Sequence, residues 1–158
     1  MVVELSGTGI TDAPIITEII DIPNDQGGRV YLSFLKSYFD TDTLQGRPEG
    51  YSVERLDTLA NGETAWVNVQ SGYAYGAGMY TYEAQTIIDS SNMADGMTQF
   101  RVIASMDEGN FVSEIAQGYS VDNIPPAIPR NLLLAYSGDM IVLTWDLPVD
   151  EDFQYFSV

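Results

Sequence analysis

Three prolines within five positions, Pro125, Pro126 and Pro129, constrain this chain more than any other feature. Each lacks an amide donor and pushes the residue before it toward extended backbone. Neither a helix nor a central strand can therefore run through SVDNIPPAIPRNLLLA at 120–135. An alternating segment ends on its N-terminal side. On its C-terminal side a new one opens with Leu132 and Leu134 and continues as MIVLTW at 140–145. The stretch reads as a joint between one module that finishes and a second that begins.

Before the joint, short β-type runs alternate with turn chemistry. Residues 1–13 read as a leader or linker, and the run PIITEIIDIP closed by Pro23 reads as strand A. After the turn NDQGG, Val30, Leu32 and Phe34 alternate with Arg29, Tyr31 and Ser33, which predicts a half-buried strand B over 29–35. Residues 36–50 carry too many breakers for a strand and are expected to form a long loop. Strand C is expected over 51–56. The Asn61-Gly62 turn then leads to a C′-type strand with Ala65, Val67 and Val69 on one face and Trp66 on the other. Strand E is expected over 79–88, and Asp107-Glu108-Gly109-Asn110 joins strands F and G as a hairpin. Seven short strands without an amphipathic helix predict an all-β sandwich over 14–123. Residues 124–158 repeat its opening, MIVLTW resembling RVYLSF and FQYFSV resembling GYSVERL, so they predict the first strands of a truncated second copy.

Composition narrows the chemistry. The net charge of −17, with six basic residues against 23 acidic ones, leaves no basic face for nucleic acid or an anionic membrane. No apolar run is long enough for a membrane span. Cysteine and histidine are both absent, which removes thiolate nucleophiles, imidazole bases, Cys or His zinc sites and disulfides. Met1 is followed by VVELSGTGI, which has no basic n-region or cleavage site, so any secretion signal is expected outside these residues.

These residues resemble fibronectin type III modules, in which strands A, B and E pack against C, C′, F and G. In the second copy PAIPRNLLLA, IVLTWDLP with Trp145 at the core tryptophan position, and DEDFQYFSV resemble strands A, B and C of that family. In the first copy YSVERL, QFRVIASMDEGN and FVSEIAQGYSVDN resemble strands C, F and G, with Phe34 and Phe100 departing from the family's tryptophan and corner tyrosine. The resemblance implies a non-catalytic structural or binding module, a spacer or adhesion-type domain. The joint DNIPPAIP resembles those of large multi-module bacterial proteins and implies an extracellular or cell-surface location. The partners implied are neighbouring domains of the same polypeptide and a protein or carbohydrate ligand. The alternative is an accessory domain of a secreted hydrolase whose catalytic domain lies elsewhere.

The site candidates are few. Tyr73, Tyr75, Tyr80 and Tyr82 flank a glycine-rich turn, either as a surface for a sugar or protein ligand or as cross-strand pairs on a sheet face. Asp25, Asp40 and Asp42 are candidate calcium ligands if they collect at one end of the sandwich, but they match no EF-hand loop and otherwise read as solvated loop acids. Asp150, Glu151 and Asp152 read as an exposed charged loop. Gly72, Gly76 and Gly78 read as turn glycines, because no helix follows to receive a phosphate. No cofactor and no catalytic residue is expected.

Overall fold

The computed structural model describes residues 11–41, 49–125 and 127–146, and these contain no helix. The chain is all-β, with antiparallel sheets, and divides into two compact units, Met1–Asn123 and Ile124–Val158.

The first unit contains β1 (Ile15–Asp21), β2 (Arg29–Leu35), β3 (Gly50–Thr58), β4 (Thr64–Tyr73), β5 (Met79–Gln85), β6 (Thr98–Met106), β7 (Gly109–Val112) and β8 (Ala116–Gly118). One sheet has the order β1-β2-β5 and the other β4-β3-β6-β7, with β8 also paired to β6. Alternation decides what each sheet buries. Val30, Leu32 and Phe34 of β2 join Tyr80 and Ala84 of β5, and these meet Tyr51 and Val53 of β3 and Phe100, Val102, Ala104 and Met106 of β6 in one core. Phe34 lies at its centre. Its ring is fully buried, with centroids 4.9 Å from Tyr51, 5.4 Å from Tyr80 and 5.4 Å from Tyr82. On the opposite face of β6, Arg101 lies over the Trp66 ring at 4.3 Å and pairs with Glu54 at 2.6 Å.

Three elements differ from the sequence reading, each because a local bond or an extra residue interrupts the ladder. The expected strand E ends at Gln85. There the Thr86 hydroxyl turns to Ser120 at 2.6 Å and the Ile87 amide donates to the Thr98 hydroxyl at 3.3 Å. Strand G is broken into β7 and β8. The Ser113 Oγ accepts the Val102 amide at 2.9 Å, and residues 113–115 lie opposite only Arg101 and Val102. In β4 the register skips Val69, since Val53 faces Gln70 while Glu54 faces Asn68. This bulge reverses the alternation. Beyond it Gln70 and Gly72 stand opposite the inward Val53 and Tyr51, whereas Ser71 and Tyr73 stand opposite Ser52 and Gly50 on the outer face. Val69 itself packs against the core, as expected with Ala65 and Val67, and the alternation changes only after it.

In the second unit β9 (Leu133–Ser137) and β10 (Met140–Thr144) form an antiparallel hairpin around Gly138, whose φ is 64°. Its open end is closed by the Asp146 amide donating to the Arg130 carbonyl at 2.9 Å. The strand C expected over 153–158 and the acids Asp150, Glu151 and Asp152 lie outside the described residues.

Replacing Phe34 with alanine is expected to cost about 3–5 kcal/mol, through lost burial and the cavity left among three tyrosines. Ser33→Ala, on the opposite face, is expected to cost about 0.5 kcal/mol. Urea midpoints measure both, and equal shifts would contradict the register.

Candidate functional site

Two features stand out at the end of the first unit where β2 finishes and β5 begins. One is a buried polar cluster that fixes the loops. The other is a groove on the outer face of the β4-β3-β6-β7 sheet.

The cluster is built around Asp40, which is 1% exposed. One carboxylate oxygen, Oδ2, accepts the hydroxyls of Tyr51 at 2.9 Å and Tyr80 at 2.6 Å, and the other, Oδ1, accepts the Gly76 amide at 2.8 Å. Each hydroxyl also accepts a loop amide. Ser37 N donates to Tyr51 at 3.0 Å and Tyr75 N donates to Tyr80 at 2.9 Å. The ammonium of Lys36 donates to the Asp40 carbonyl at 2.7 Å. Gly76 reaches its place with φ at 76°, a left-handed conformation that glycine adopts without strain. The loops at 36–41 and 74–78 are therefore tied to both sheets through β3 and β5. Burial pushes the phenols of Tyr51 and Tyr80 well above the usual tyrosine range, and their bonds to Asp40 push in the same direction.

This corrects two expectations. Asp25 and Asp40 are not solvated loop acids, since Asp25 is also buried and accepts the Gly27 amide at 2.9 Å and Arg29 at 3.3 Å. Nor do they share an ion. They lie beyond opposite ends of β2, whose seven residues span about 20 Å at a rise of roughly 3.3 Å each. Asp42 lies outside the described residues, and among the described residues no group of three or more acids is placed to hold a metal. The four tyrosines do not form one surface either. Tyr80 is 2% exposed and Tyr82 packs against the core, because both occupy the inward positions of β5. Tyr73 and Tyr75 are exposed.

The groove exists because of the Val69 bulge. Tyr73 stands beside Gly50 with its ring 80% exposed, and Gly50 also pairs with Ser105 of β6. A hollow of about 440 Å³ lies here, bordered by Glu49, Ser52, Ser71, Tyr73 and Ser105. Ser71 accepts the Asn68 amide at 2.9 Å and lies 3.4 Å from the Ser52 hydroxyl, so these groups are held in a row. Glu49 accepts the Asp107 amide at 3.2 Å. The neighbouring Gly72 must lack a side chain, since a Cβ there would overlap the Tyr82 hydroxyl from below.

Sequence reasoning missed a second polar cluster at the opposite end of β2. Asp89 Oδ1 accepts the Gly28 amide at 2.6 Å and the Ser120 hydroxyl at 2.5 Å. Asp21 accepts the Val121 amide at 2.8 Å and the Asn123 side-chain amide at 2.8 Å. Asn123 in turn accepts the Asp25 amide at 3.1 Å. Residues 120–123 are thereby clamped beside the β1–β2 turn. No family model, curated protein or solved structure matches this chain.

The raised phenols give a defined pH dependence. Below pH of about 10 the folded and unfolded chains both keep these protons. Above it the unfolded chain releases them while the fold retains them, so stability falls as pH rises toward the folded values. The expected slope is about 1.4 kcal/mol per pH unit for each of Tyr51 and Tyr80. Denaturant titrations over this range should show a shallower fall in Tyr51→Phe and Tyr80→Phe than in the parent. A parallel fall in all three would contradict the assignment.

Proposed function

We propose that this chain is a non-catalytic structural or binding module, a fibronectin-type-III-like spacer or adhesion-type domain of a large extracellular bacterial protein. One observation carries the reading. The segment that leaves the first unit is held to the β1–β2 turn by Asp21, Asp25 and Asn123, and three prolines follow directly. A module linked in series transmits load through its exit point. A polar clamp placed there, followed by a stiff joint, suits that task. The sheet orders β1-β2-β5 and β4-β3-β6-β7 add support, because they are the orders A-B-E and C′-C-F-G that the resemblance implies. In this reading no residue acts on a substrate, and the principal partners are the neighbouring domains.

The exposed groove favours a second reading, an accessory domain of a secreted hydrolase, because a ligand-holding surface is what such a domain contributes. The two readings share a location and a size class. Fractionation of the source cells, with an antibody raised against this chain, tests both. The expected result is a band far larger than 17.4 kDa at the cell surface or in the medium. A cytosolic band of that size would overturn the proposal.

A further inference from the structure

The groove beside Tyr73 has a definite ligand chemistry. Its lining includes one exposed aromatic ring, three serine hydroxyls and one carboxylate, and no Leu, Ile, Val or Met. An apolar ligand or a hydrophobic peptide side chain would find no aliphatic wall there. A phosphate or other anionic ligand would find no cation. It would instead meet Glu49 within a chain of net charge −17. What the groove offers is a flat amphipathic ring and several groups that donate and accept hydrogen bonds.

We infer that this groove binds a neutral saccharide, with a sugar ring lying on Tyr73 and its hydroxyls meeting Ser52, Ser71, Ser105 and Glu49. Three features of the site fit that ligand. The ring is free to stack, since among the described residues no other ring packs on Tyr73 and its side chain is 80% exposed. On the outer face Gly50 and Ser52 of β3 stand opposite Tyr73 and Ser71 of β4, so the two hydroxyls and the ring border a backbone floor that a pyranose can approach closely. The Val69 bulge is the device that places Tyr73 there. Without the extra residue, Ser71 and Tyr73 would share the inward face with Ala65 and Val67. A single open groove with one stacking ring binds weakly, with a dissociation constant of about 1 mM. The inference holds whether the module serves as a spacer or as an accessory domain.

The test is a titration of the full chain with neutral oligosaccharides, namely cellohexaose, xylohexaose, mannohexaose and maltohexaose, followed by amide correlation spectra. At least one should shift the Gly50, Ser52, Ser71, Tyr73 and Ser105 amides together. Tyr73→Ala should weaken that binding at least about tenfold without changing the melting temperature, as should Ser105→Trp, which fills the hollow from an exposed position. Tyr75→Ala should leave binding intact. Oligogalacturonate, the anionic control, should bind more weakly than the best neutral probe. The inference is overturned if none of the neutral probes shifts these amides, if the shifts survive Tyr73→Ala, or if oligogalacturonate binds best. Failure here leaves the cell-fractionation result, and so the proposed role, unaffected.

Discussion

The buried carboxylate of Asp40 is the interaction on which one whole end of the first unit depends. Removing a carboxylate from water costs several kcal/mol, and only a complete set of donors offsets that. Here three donors meet it, two phenols and a backbone amide. Each phenol in turn satisfies a loop amide that would otherwise be left without a partner. Charge-assisted bonds of this kind contribute about 1.5–3 kcal/mol each, and they act together, because losing any one exposes the others. The rings that carry the two hydroxyls also pack on Phe34. The apolar core and the loop geometry are thus one cooperative structure.

The same logic operates at the other end with different residues. Asp89, Asp21 and Asn123 pin the departing chain to the β1–β2 turn, using hydroxyls and backbone amides in place of phenols. A chain without cysteine has no covalent means of holding its ends. These polar clamps do that work, and they leave the middle of the two sheets free to be wholly apolar. The chain is strongly acidic, with a net charge of −17. Several of its carboxylates are accounted for by specific donors inside the fold, while the outer face is left to the groove and to the Arg101–Trp66 stack.

Much of this architecture was legible in the sequence. Alternation in RVYLSFL and TQFRVIASM identified the buried residues, and the proline joint coincides with the division between the two units. The tyrosines were harder to place, although the signal was present. Tyr80, Tyr82 and Ala84 alternate with Thr81 and Glu83, which is the inward pattern of a strand. Asp40 carried no comparable signal. A carboxylate in a stretch of turn residues looks the same in sequence whether it is solvated or holds two phenols, because its donors come from positions 51, 76 and 80. The bulge at Val69 was equally hidden, since an extra residue shows only against the register of the partner strand. It is the bulge that separates Tyr73, which faces outward, from Tyr80 and Tyr82, which do not.

The cooperative role of the Asp40 cluster is tested most directly by native-state hydrogen exchange at the loop amides of Ser37, Tyr75 and Gly76. These three donate to Tyr51, Tyr80 and Asp40, and none belongs to a strand. If the cluster joins loops and core into one unit, they open only with global unfolding and exchange as slowly as Leu32 and Val102 in the centre of the sheets. Exchange of these amides at rates typical of exposed loops, with Leu32 and Val102 still protected, would contradict it.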